Sequence, residues 1–161
     1  VKQKQLIKLN IGDGCPEGFK DIPTPIDWRS LKKESVEEFR CAYYFQQIPG
    51  KERGPWMDEL WRVLVPGAKA LFITQYWTSF RAFMDYRSEW PPIVEQSYLY
   101  FNKAWRESQK VNWCHCDFEI VGQGHIPDPE AQGKAQEVRD HWIKHYANAA
   151  LDLHLVVQKK A

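Results

Sequence analysis

The stretch Pro55 to Thr74, "PWMDELWRVLVPGAKALFIT", limits the possible folds most tightly. Proline opens it, and Trp56, Leu60, Val63 and Leu64 recur at helical spacing on one face, which predicts a helix over 55–64. Val65-Pro66-Gly67 stops that helix, and the apolar run Ala68–Thr74 reads as a strand. A helix, then a glycine, then an apolar strand is the junction of an α/β unit, and such units build parallel sheets. Leu6 to Ile11 reads as another strand, running without a breaker into Gly12-Asp13-Gly14. The segment "CPEGFKDIPTPIDW" holds three prolines and cannot form a long helix, although Ile26-Asp27-Trp28 can be briefly extended. Further strands are expected at Phe39–Phe45, Cys116–Gly122 and Leu151–Gln158. Helices are expected on both sides of Pro91-Pro92 and over Gln132–Ala147. The order predicts one α/β domain across residues 1–161: a shortened, Rossmann-like, mainly parallel sheet with flanking helices and an antiparallel final strand.

Bulk properties narrow the function. The 161 residues are 43% hydrophobic and 27% charged, enough to bury a core, and no apolar run approaches the roughly 18 residues of a membrane span. A formal charge of +1 gives no electrostatic case for a nucleic-acid partner. Cys15, Cys41, Cys114 and Cys116 show no paired framework, so reduced, cytoplasmic thiols are expected. Cys114-His115-Cys116 supplies only a cramped half of a zinc site. Alternation would put both cysteines on one face and His115 on the other, so ordinary strand residues and no metal are expected. His141 and His145 share a helix face without an H-E-x-x-H pattern and read as surface residues.

In open α/β sheets, ligands bind beyond the carboxyl ends of the strands, where a glycine turn lets the backbone approach them closely. "KLNIGDG" resembles the first motif of class I S-adenosylmethionine (SAM)-dependent methyltransferases, a strand ending in a hydrophobic-G-x-G turn. "MDELWRVLVPGAKALFIT" resembles that family's helix, L-x-P-G-G turn and following strand, and "SVEEFRCAYYFQQIP" resembles a weakened form of its fourth strand and exit. The three blocks stand in the family's order and span residues 6–80. Abbreviated chains of this kind bring to mind phage-encoded and environmental members.

The resemblance implies SAM as cofactor, with Asn10, Ile11, Gly12, Asp13 and Gly14 cradling its methionine part. It implies Asp27 as a partner of the adenine amino group, Trp28 against that ring, and Tyr43, Tyr44 and Phe45 lining the cofactor or acceptor cleft. The chain from Gly14 to Asp27 is too short for the family's helix and acidic second strand, so either Asp21 or Asp27 stands in for the ribose or adenine ligand, or that contact is missing. Acceptor-binding residues are expected beyond the strand ends, at Gln75, Tyr76 and Trp77, with Arg81, Arg87 and Trp90 following. The expected activity is methyl transfer to a small-molecule or macromolecular acceptor. The alternative is a non-catalytic descendant of the fold, with Gln46-Gln47 where the family often has a charge and an imidazole.

Overall fold

The computed structural model describes residues 6–160. Strand β1 (Ile7–Gly12) is followed by a two-residue β2 (Lys20–Asp21), a 3-10 turn at Trp28–Ser30 and β3 (Val36–Ala42). Helix α1 (Gly50–Val63) leads into β4 (Leu64–Gln75), then α2 (Arg81–Met84), a 3-10 helix (Glu95–Phe101) and α3 (Lys103–Gln109). Strand β5 (Phe118–Pro127), the short helices α4 (Pro129–Gln132) and α5 (Gln136–His145), and β6 (Ala150–Lys159) complete the chain. The sheet has six strands in the order β2-β1-β3-β4-β6-β5. Strands β2, β1, β3 and β4 are parallel, and β6 is antiparallel to both neighbours. The expected Rossmann-like, mainly parallel sheet with an antiparallel final strand is what forms.

Strand alternation decides where the core lies. Leu9, Ile11, Phe39, Cys41, Ala70, Phe72, Leu153, Leu155 and Val157 are all fully buried and share one face. Trp56, Met57 and Leu60 of α1 pack on that face, with Tyr98 and Phe101 from the 3-10 helix beside them. Phe45 sits at the centre, 5.0 Å from the Phe72 ring, 5.5 Å from Trp56 and 5.7 Å from Tyr98, in the tilted and offset arrangements that aromatic quadrupoles favour. The opposite face carries Lys8, Glu38, Lys69, Gln158 and Glu119 in one cross-strand row, with Lys8 and Glu38 paired at 2.8 Å. Its polarity goes with the proline-rich 13–35 segment, whose one helical element is the single turn at Trp28–Ser30, too short to cover that face.

Element boundaries differ from expectation in five places, the first being the helix expected over Gln132–Ala147, which is confined to Gln136–His145 after a separate turn of helix at Pro129–Gln132. Strand β3 stops at Ala42, because Tyr43 turns the chain with φ 55°. Helix α1 begins at Gly50 and hands over directly to β4 at Leu64, so Pro66-Gly67 lies inside the strand, with Gly67 at φ 80°. The aromatic segment after Gln75 forms short helices rather than long ones. Strand β5 starts at Phe118, which leaves Cys114 to Asp117 in an irregular approach. Among the described residues, no helix is long and apolar enough to cross a membrane.

Candidate functional site

The parallel strands β1, β3 and β4 end side by side, so Gly12, Ala42 and Ile73 lie in one row at their carboxyl ends. Main-chain bonds continue across the tips, from Asp13 N to Ala42 O at 3.1 Å and from Tyr43 N to Ile73 O at 2.8 Å. Gly12 has φ 88°, and a Cβ built there would stand 1.8 Å from Ala42 O, so only glycine fits between the two strands. Gly14 is different. It also has a left-handed φ of 64°, but nothing lies within 4 Å of its ideal Cβ position. Gly12, Asp13 and Gly14 are all exposed, so the turn opens onto free space above the sheet.

A polar chain beneath the turn fixes its shape. Asn10 is fully buried. Its Nδ2 donates to Asp21 Oδ1 at 2.8 Å, and its Oδ1 accepts from Arg40 Nη1 at 2.7 Å. Arg40 Nη1 also donates to Asp13 O at 2.8 Å and to Gly14 O. The guanidinium thus satisfies carbonyls of a turn that no helix continues. Asp21 ends β2 beside β1, exposed, with one oxygen engaged by Asn10. Sequence reasoning missed Arg40; the signal was a cation on β3 facing the same side as Asn10, readable only once the strands are in register.

The other cofactor residues named from the sequence take varied positions. Asp27 caps the Trp28–Ser30 turn by accepting from Arg29 N, at 3.2 Å. Trp28 packs edge-on against Trp56 of α1 at 5.2 Å, and its carbonyl accepts from Arg62 at the far end of that helix. Trp28 thus contacts α1, and Asp27 bonds within its own turn to Arg29 and Ser30. Phe45 and Ile11 are fully buried core residues, and Tyr44 packs against the same cluster. Tyr43 reaches across the strand tips and donates its hydroxyl to Asp152 Oδ2 at 2.9 Å. Burial, reinforced by the Asp152 hydrogen bond, raises its phenol and keeps it neutral.

Beyond the tips of β3 and β4 lies a cleft of about 210 Å³ lined by Gln46, Gln75, Phe83, Asp85, Tyr86 and Trp90 among others. Gln46 is 4% exposed, and both polar atoms of its amide are buried without a hydrogen-bond partner. A buried amide without partners is destabilising, and the Gln46 side chain lies at the wall of this cleft. Buried Arg53 shapes the wall: its guanidinium donates to Ile48 O at 2.9 Å, Pro91 O at 2.7 Å, Glu89 O at 3.0 Å and Gln46 O at 3.4 Å. Of the acceptor residues expected from sequence, Gln75 and Trp90 line this cleft. Tyr76 is buried against His125, and Trp77 borders a separate cleft with it. Arg81 is paired with Asp152 at 3.0 Å and Arg87 with Asp85 at 2.9 Å.

Two titrating groups, His154 on β6 and Glu95 in the cleft beside Tyr76, set an acid limit. Burial, opposed by Asp152 and aided by Arg40, lowers the His154 imidazole below its ordinary 6.5. A base depressed in the native state binds more protons when unfolded, so stability falls as pH drops from about 6.5 through the native value. For Glu95, burial pushes the carboxyl up, but the hydrogen bond and charge of His125, a backbone hydrogen bond and Tyr76 together outweigh it and lower the carboxyl below 4.5. Its stabilisation is present above 4.5 and lost as pH falls through the native value. His154→Gln should therefore flatten the loss of thermal stability that begins as pH falls below about 6.5, while leaving the loss below about 4.5. Melting temperature measured against pH for both chains checks this, and an unchanged upper limb would refute it.

No family model matches the sequence, and no curated protein does. Solved structures do share the architecture. A SAM-dependent methyltransferase from Archaeoglobus fulgidus is similar at a TM-score of 0.61, with 10% identity, over 96% of this chain and 86% of that one. A SAM-dependent methyltransferase from Methanosarcina mazei is similar at 0.54, with 14% identity, over 98% of this chain and 94% of that one. The chain therefore has the Rossmann-like fold of the SAM-dependent methyltransferases, and at these identities the likeness is one of fold.

Proposed function

We propose, from that fold and the open turn at its first strand, that the chain binds SAM above Gly12-Asp13-Gly14 and passes its methyl group to an acceptor held in the cleft beside Gln46. The observation that carries this reading is the empty space over Gly14, in a left-handed turn exposed at the carboxyl end of β1. Asp21 at the end of β2 offers its free carboxylate oxygen to the ribose hydroxyls, replacing Asp27 in that role. The sulfonium supplies an activated methyl group and a neutral leaving group. This chain's residues have to align the acceptor with it and keep water out. Gln46 and Gln75 line the cleft that receives the acceptor, with the aromatic rings of Tyr86 and Trp90 beside them. Four free thiols suit the cytoplasm.

A second reading has its own support. No helix follows the glycine turn, so the turn's carbonyls rest on Arg40 and the ligand receives no helix N-terminus. This favours a protein that keeps the fold for binding or assembly without transferring a methyl group.

Titration of S-adenosylhomocysteine by calorimetry tests the proposed site. Asp21→Asn retains an oxygen for Asn10 but removes the charge, and should weaken binding roughly 10- to 100-fold, the equivalent of a charge-assisted bond of about 1.5–3 kcal/mol. Equal affinity in the variant would remove Asp21 from the site.

A further inference from the structure

Cys114 and Cys116 precede β5 in irregular chain, both buried, with their sulfurs 3.9 Å apart. Asp58 of α1 completes the group: one ligand atom from each residue lies within 4.8 Å of the others. Sequence spacing offered only half a site here; the third donor comes from 56 positions upstream of Cys114 and joins through the tertiary fold. We propose that Cys114, Cys116 and Asp58 bind a zinc ion that clamps the approach to β5 onto α1.

The geometry suits that ion. Two thiolates bound tetrahedrally at about 2.3 Å stand roughly 3.8 Å apart, close to the separation in this structure. The donors are also pre-positioned. Asp58 Oδ1 accepts the backbone N–H groups of His115 and Cys116, each at 2.7 Å, which wraps the loop around the carboxylate and leaves Oδ2 for the metal. Outer hydrogen bonds of this kind orient ligands and strengthen sites. Charge balances as well. Two thiolates and a carboxylate sum to three negative charges; a divalent cation and the buried Arg106, which donates to Cys116 O at 2.7 Å and Tyr100 O at 2.8 Å, neutralise them. As each metal–sulfur bond forms, its thiol proton passes to solvent, so two protons leave per ion bound. The fourth position belongs to a water from the cleft that Cys114 borders with Lys103, Glu107 and Lys110. His115 is exposed and lies outside the donor group.

Cobalt(II) titration of the reduced full chain tests the site optically. The expected result is thiolate-to-cobalt charge-transfer absorption that saturates at one equivalent and is abolished by added zinc, with a rise in melting temperature on zinc addition. Asp58→Asn keeps the oxygen that receives the two backbone bonds and should lower cobalt affinity about 10- to 100-fold in a folded chain. Cys116→Ser should remove the absorption, and Cys15→Ser should leave it intact. Absence of the band at millimolar cobalt, a band lost in Cys15→Ser, or unchanged affinity in Asp58→Asn would each overturn the proposal.

Discussion

Gly12→Ala should unfold or nearly unfold the protein, whereas Gly14→Ala should leave it folded. At Gly12 the new methyl would meet Ala42 O at 1.8 Å and Ala42 C at 2.9 Å, both atoms of backbone in the adjacent strand. Neither can swing away without separating β1 from β3 at the centre of the sheet. The left-handed φ of 88° adds strain of about 1–3 kcal/mol, and forced overpacking adds about 1–3 more. The sum is a large part of the roughly 5–15 kcal/mol that holds a domain together. At Gly14 the methyl meets nothing within 4 Å, so only the conformational term applies, about 1–3 kcal/mol. Urea denaturation of the two variants checks the contrast. Similar losses at both positions would mean that the strand tips are not packed as described. The contrast also decides which glycine can probe ligand binding: a Gly12 variant reports on the fold, and only a Gly14 variant reports on the space above the turn.

Arg53→Met should destabilise the protein by about 3–5 kcal/mol and loosen residues 85–93 selectively. Arg53 is 5% exposed, and its guanidinium donates to four main-chain carbonyls, from Gln46, Ile48, Glu89 and Pro91. Its face also lies 5.8 Å from the Phe45 ring. Methionine fills much of the volume but leaves those carbonyls without their donor, and unpaired buried acceptors are destabilising. Arg53→Lys should recover only part of the loss, because one ammonium cannot span the fork that Arg53 covers. Limited proteolysis combined with chemical denaturation separates the two effects. Early cleavage within 85–93 in Arg53→Met is expected; cleavage elsewhere first would show that Arg53 does not fasten this wall of the cleft.

The sheet was largely legible in the sequence because its signals are local. The Leu6–Ile11 run, the helix-to-strand block at Pro55–Thr74 and the alternating Leu151–Gln158 each occupy one strand or one junction. Boundaries slipped where the backbone departed from local pattern: Tyr43 leaves β3 at φ 55°, with its hydroxyl bonded to Asp152 on β6, which no window around Tyr43 contains. The candidate site was legible only in its main chain. Gly12 and Gly14 could be found from the turn itself, but Arg40 serves that turn from another strand and Gln46 reaches the cleft wall only through the fold. Trp28 has two physical uses open to it. A large ring beside an acidic residue suits a nucleoside, and it equally suits the edge of α1, where Trp56 meets it. Arg81 and Arg87 looked free to bind an acceptor, while the carboxylates that hold them sit at Asp152 and Asp85.

The central claim is that a sulfonium nucleoside rests on the bare backbone of Gly12 to Gly14. Calorimetric titration of S-adenosylhomocysteine into the wild-type chain and Gly14→Val, each first shown to be folded by circular dichroism, tests it most directly. The account predicts saturable one-to-one binding to the wild type and its loss in Gly14→Val, whose side chain fills the open space above the turn. No heat of binding to the folded wild type at millimolar ligand, or equal affinity in Gly14→Val, would contradict it.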